Sequence, residues 1–353
     1  AGTPPSRGAP APMASSNVTV LSVEHPRECD PFDYSDVLVL VNNNSAMSRQ
    51  VGEYFAEARG VPAGQVAYLD VPAREVINKD QYEDLEDQVK TFMLRNNLVS
   101  SINYIVTTKG FPLKISNSSN WYRACVDEEL AMIYGPNEGS IGNLAWVQSP
   151  YFQEREYFER SDQGIYLVNR LTGYDWEDVK GIIDRANNSM GNRGTFVLDV
   201  DPGRDGSGYQ VGNEWLRSAR VILEERGLPV FFDDTRWFVN YREDVMGYAS
   251  WGSNDNNDTD HAKPHNTWVD GSIAETFVST GGRTFTYPPR YGQSMVADLI
   301  AENVTGVKGY VYEPFLSAIA HPDILFERYT AGFNHAQSYR MASQYLGWMG
   351  VVV

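Results

Sequence analysis

The densest run of oxygen-bearing side chains in this chain of 353 residues is Ser250-Trp-Gly-Ser-Asn-Asp-Asn-Asn-Asp-Thr-Asp-His261. Asp255, Asn257, Asp258 and Asp260 there are hard oxygen donors of the kind a calcium ion takes. The spacing is not that of an EF-hand: no glycine stands at the sixth position from Asp255 and no glutamate at the twelfth. A self-satisfied Asx-rich turn fits the same composition, so calcium and a plain turn are both open. A comparable loop is Asp199-Val-Asp201-Pro-Gly-Arg-Asp205, with Asp199, Asp201 and Asp205 as candidate ligands. Zinc fits less well. His261 and His265 are four apart, but Pro264 keeps them from sharing a helical face, and there is no HExxH motif. Nor is there a P-loop, a GxSxG elbow or a dinucleotide fingerprint, so calcium is the one cofactor the residues suggest.

Such loops need a frame that brings distant segments together, and the hydrophobic pattern predicts an α/β one. Residues 36–42 (DVLVLVN) form a continuous apolar run, as in a strand buried on both faces. Ser45 is placed to cap a helix in which Met47, Val51, Tyr54, Phe55 and Ala58 keep helical spacing, and Gly60-Val61-Pro62 ends it. A strand at 65–71, an amphipathic helix at 80–97 and a strand at 103–110 follow. This alternation predicts a parallel sheet with right-handed crossovers. Residues 111–193 are less regular, with helices expected at 127–134 and 175–190. The pattern restarts with a strand at 194–200, a helix at 211–226 and a strand at 229–234. Further strands are expected at 245–250, 275–280 and 306–312, and the apolar C-terminal run suggests a buried last strand.

The junction Glu57-Ala-Arg-Gly-Val-Pro62 resembles Glu225-Arg-Gly-Leu-Pro229, which either convergent capping or an internal duplication explains. The expected architecture is α/β: two related half-domains with mainly parallel sheets flanked by helices. They span 36–193, with an irregular insertion, and 194–353, after an extended Pro-rich N-terminal arm at 1–35. Ligands in open parallel sheets lie at the carboxyl ends of the strands. This selects Asn42–Ser45, Thr107–Phe111 with Lys109, Asp199–Gly208, Ser250–Asp260 and Ser279–Arg283.

Charge and composition narrow the function classes. Lys and Arg number 29 against 46 Asp and Glu, a net charge of −17 that argues against nucleic acid as a partner. No apolar run reaches the roughly 18 residues of a membrane span. The chain starts at Ala1 with a Pro/Ala/Ser-rich stretch, as expected after removal of a signal peptide. The N-x-S/T sequons at Asn17, Asn43, Asn117, Asn187, Asn257 and Asn303 suit a glycosylated protein exported to the cell surface or medium. Cys29 and Cys125 form either one disulfide or two free thiols.

The order VMGYASWGSND, AETFVSTGG, GVKGYVYEP and LGWMGVVV resembles a caspase-like fold of the gingipain type. In that fold a histidine follows one strand and the nucleophilic cysteine follows the next. Here Trp251 stands at the histidine position and Ser279 or Thr280 at the cysteine position. The chain also resembles a family of exported bacterial and archaeal α/β proteins of uncharacterised activity. That resemblance spans about 36–353 through DVLVLVNNNSAMSRQVGEYFAEARGVP, YIVTTKGFPLKI, GYASWGSND and LGWMGVVV, and it implies fold and export.

A non-catalytic exported protein that assembles into a filament, tube or layer of its own copies through the N-terminal arm fits the missing dyad. Divalent cations would then influence the assembly, because subunits this acidic repel one another. A hydrolase is the second reading, with Ser279 as nucleophile, Asp255 or His261 as base, and Lys109 or Arg283 at an oxyanion. A glycan binder is the third, using Trp121, Tyr122, Trp146, Tyr151 and Phe152.

Overall fold

The computed structural model describes residues 33–116, 123–136, 138, 147–189, 191–206, 208–312, 315–346 and 350–353. Almost all of the expected arm lies outside these residues, as do Asn17, Cys29, Asn117, Trp121, Tyr122 and Trp146. Residues 34–353 form one compact unit that contains both expected halves.

The first half opens with β1 (Val37–Asn42), in which every residue is buried, as its unbroken apolar run requires. Ser45 caps α1 (Ala46–Arg59) by accepting the Ser48 N–H, and Gly60 ends it in the left-handed region at φ +64°. β2 (Val66–Leu69), β3 (Val76–Ile77) and α2 (Lys79–Arg95) follow, α2 entered through a reciprocal Asn78–Gln81 capping box. Next come β4 (Tyr104–Thr108), β5 (Lys114–Ser116), β6 (Arg123–Cys125), α3 (Val126–Ala131) and α4 (Arg160–Gln163). β7 (Leu167–Leu171) and α5 (Trp176–Asn187) complete this half. Its main sheet is parallel in the order β2-β1-β4-β7, and β3, β5 and β6 make a small separate sheet.

The second half runs β8 (Thr195–Asp199), α6 (Gln210–Glu225), β9 (Val230–Asp233), β10 (Val245–Ser250) and β11 (Trp268–Thr276). It continues with α7 (Val296–Ala301), β12 (Gly306–Tyr310), α8 (Pro322–Thr330), α9 (His335–Ala342) and β13 (Gly350–Val352). The sheet order is β13-β12-β11-β10-β8-β9, parallel except for β13. Leu198, Leu216, Leu325 and Phe326 build the core on one face, and Val197, Val296, Leu299 and Val307 on the other. The fold class is thus α/β with mainly parallel, helix-flanked sheets, as the alternating pattern predicts. Among the described residues no helix is long and apolar enough to cross a membrane.

β11 corrects one expectation. The strand expected at 275–280 covers 268–276, and residues 277–280 leave the sheet. Asp270-Gly271-Ser272 has the composition of a turn, but Gly271 takes φ +87° and donates to Thr305 Oγ1, so the strand bends and continues.

Two histidine rings shielded from solvent make this fold sensitive to acid. His321 stacks on Trp215 with ring centroids 3.8 Å apart, and His335 Nδ1 lies 3.1 Å from Asn169 Nδ2. Burial pushes both imidazoles down to about 4. A depressed histidine contributes stability above the unfolded value of about 6.5, and that stability is lost as pH falls towards the folded value. His321→Phe keeps the stacked ring and removes the titration. Its stability relative to the parent should therefore rise by about 3 kcal/mol between pH 7 and pH 4 in urea unfolding, and a pH-independent difference would contradict this.

Candidate functional site

The strand order makes β8 the switch point of the second sheet. The connection through α6 leads to β9 on one side, and the chain then crosses back to β10 on the other. Ligand crevices in such sheets form at the carboxyl ends flanking that point. Here those ends carry Asp199 on β8, Asp233 beside it in register on β9, and Ser250, Trp251 and Asp255 at and after the end of β10.

This place joins the two acidic loops that the sequence offers separately. Asn256 Nδ2 donates to Asp201 Oδ2 at 3.0 Å, and the Arg204 guanidinium donates to the Asn254 carbonyl. Asn213, fully buried on α6, ties the same loops together. Its Nδ2 donates to the Asp201 carbonyl at 2.8 Å, and its Oδ1 accepts the Trp251 indole N–H at 2.7 Å. Asp201 is spent on structure, since Oδ1 also accepts the Gly203 N–H at 2.8 Å.

Asp199 is different. Its carboxyl is 1% exposed; Oδ2 accepts the Val239 N–H at 2.9 Å, and buried Oδ1 has no hydrogen-bond partner. Burial pushes it up to about 8, and the carboxylates of Asp255, Asp233 and Asp201 add to the rise. Burial likewise raises Asp255 to about 6, although its Oδ1 accepts the Asn257 N–H at 2.7 Å. The first sheet handles its own switch point in another way. Asn42 Nδ2 donates to the Gly110 carbonyl at 2.8 Å, Ser48 Oγ and Thr108 Oγ1 are 2.6 Å apart, and Thr108 donates to the Leu40 carbonyl at 2.9 Å. That end is closed by its own hydrogen bonds.

The other metal candidates do not join Asp199 and Asp255. Asp205 accepts from Arg217 at 3.0 Å, which lowers its pKa, and Asp260 pairs with His265 Nε2 at 3.0 Å. Asn257 and Asp258 are half-exposed. Among the described residues no three His, Cys, Asp or Glu side chains converge as a metal-ligand set.

The hydrolase candidates are likewise dispersed. His261 stacks on Tyr291 with centroids 3.9 Å apart. Lys109 Nζ donates to the carbonyls of Gly173 and Phe285, and the Arg283 guanidinium to those of Thr280, Arg290 and Gln293. Thr280 Oγ1 donates to Gln293 at 2.7 Å. Among the described residues no hydrogen bond joins half-buried Ser279 to Asp255 or His261. Trp251, 2% exposed, packs edge-on against Phe277 with centroids 4.9 Å apart. A Cβ at Gly212 would come within 2.9 Å of its ring, so the helix carries glycine there to admit the indole.

Cys125 is buried, which pushes its thiol up and away from nucleophilic use; Cys29, the other cysteine of the disulfide alternative, lies outside the described residues. Tyr151 is fully buried, donates to the Glu156 carbonyl and packs on Phe158, so it offers no face to a glycan. Phe152 packs edge-on against His321. Of the described sequons, Asn187 and Asn303 are exposed, and Asn43 and Asn257 partly so.

Sequence reading missed Asn213 and Asp233 at this site, although a buried-face asparagine in the otherwise apolar stripe of 211–226 is a visible signal. It also missed a buried ionic cluster that reaches from the first half into the second. Asp127 pairs with Arg170 at 2.5 Å and Glu128 with Arg340 at 2.8 Å, while Lys308 and Glu275 lie buried close by. No family model matches the chain, and neither curated proteins nor solved structures give a match, so the caspase-like resemblance rests on its motifs alone.

Proposed function

We propose that this chain is an exported, glycosylated, non-catalytic protein that assembles with copies of itself into an extracellular polymer, its N-terminal arm taking part. The observation that carries the reading is Trp251. At the position of the resembled base, a buried indole bonded to Asn213 does packing work that an imidazole cannot do. A surface suited to association supports the second element. β9 ends the sheet with Val230, Phe231 and Phe232 half-buried, and the segment after it exposes Trp237 at 64% and Tyr241 at 71%. Aromatic side chains are enriched where proteins associate.

The experiment is sedimentation of the full chain beside the Trp237→Ser/Tyr241→Ser variant, with a fluorophosphonate probe added to both. The reading expects large assemblies that the double substitution disperses, and no labelling. A monomeric parent chain, or covalent labelling at Ser279, would overturn it in favour of an isolated protein or a hydrolase respectively.

A further inference from the structure

We propose that the carboxyl end of β8 and β10 binds a hard divalent cation, with Asp199 and Asp255 as its carboxylate ligands. A buried carboxylate oxygen without a partner is costly, and the large majority of buried side-chain polar atoms are satisfied. Asp199 Oδ1 is such an atom, in a side chain 1% exposed. The corresponding end of the first sheet leaves nothing of this kind, because Asn42, Ser48 and Thr108 satisfy one another and the backbone.

What surrounds Asp199 selects the class of ligand. Asp233 stands beside it in register on β9, Asp201 follows two residues on, and Asp255 lies just past the end of neighbouring β10. An anion would meet like charge there. A cation would relieve it. Oxygen is the donor atom on offer, which excludes soft metals and suits calcium, whose shell of about six to eight oxygens accepts irregular geometry and backbone carbonyls. Two carboxylates do not fill that shell, so backbone oxygens of the 199–205 and 252–262 loops and water must supply the rest. Asp201 serves as a positioning residue, because its contacts with Gly203 and Asn256 hold the two loops together. Asp205 and Asp260 are excluded as ligands by their pairing with Arg217 and His265.

The test is terbium luminescence on the full chain, excited through Trp251, which lies four residues before Asp255. The parent should show saturable emission that calcium competes away. Asp199→Asn and Asp255→Asn should each weaken binding at least about tenfold, while Asp205→Asn and Asp260→Asn stay near the parent. Asp199→Asn closely matches a protonated aspartate in shape and should fold, as circular dichroism will report. Calorimetry with calcium on Trp251→Phe separates lost emission from lost binding. The proposal is overturned if calcium neither competes nor raises the melting temperature, or if Asp199→Asn and Asp255→Asn bind as the parent does. It stands apart from assembly, since binding is read on the chain in whatever state it sediments.

Discussion

Truncating Trp251 to alanine should cost about 3–5 kcal/mol, and restoring histidine at that position should produce no hydrolase. The indole is 2% exposed, packs against Phe277 and satisfies Asn213 Oδ1, so truncation opens a cavity and strands a buried acceptor. Asn213 also holds the Asp201 carbonyl, and the damage should reach both acidic loops. Histidine fills less of the space. It also finds no bonded nucleophile, because Ser279 has no hydrogen bond to Asp255 or His261 among the described residues. Urea unfolding measures the loss, and a fluorophosphonate probe reads the activity. Labelling of Trp251→His at Ser279 would mean that the site is a lapsed enzyme needing one change, which is not what this packing predicts.

Removing one member of the Glu128–Arg340 pair should be as damaging. Both side chains are about 5% exposed or less and lie 2.8 Å apart, joining α3 of the first half to α9 of the second. Breaking a buried pair leaves an uncompensated charge and costs about 3–5 kcal/mol, whereas replacing both partners by apolar groups can be nearly neutral. Arg340→Met should therefore lower the melting temperature by about 10 °C, and Glu128→Met/Arg340→Met should recover most of it. Lys308, pushed down to about 8 by burial, sits in the same cluster close to Glu128. If the double substitution were as unstable as the single one, the pair would be holding the halves in register as well as neutralising charge. Calorimetric scans of the three proteins distinguish these outcomes.

Much of the scaffold was legible because local physics decides it. The run 37–42 is apolar throughout and became a strand buried on both faces, and Ser45 and Gly60 bound α1 as capping chemistry requires. β7 was not legible. Its sequence LVNRL interrupts the apolar run with Asn169 and Arg170, and Arg170 is buried only because Asp127, 43 residues away, receives it. β11 was misjudged for a similar reason, since a glycine that admits φ +87° reads as a turn until Thr305 is seen to hold it in the ladder. The two acidic loops were visible as candidates, but spacing along the chain says nothing of their meeting through Asn256 and Asp201. Nor could it divide them. Asp199 and Asp255 face inward with raised pKa values, while Asp205 and Asp260 belong to Arg217 and His265.

Negative-stain imaging of the purified full chain decides whether this protein assembles with copies of itself. Regular extended particles are expected in the parent preparation, lost when residues 1–16 are removed and lost again in Trp237→Ser/Tyr241→Ser. A field of separate monomers in the parent at every concentration imaged would contradict self-assembly.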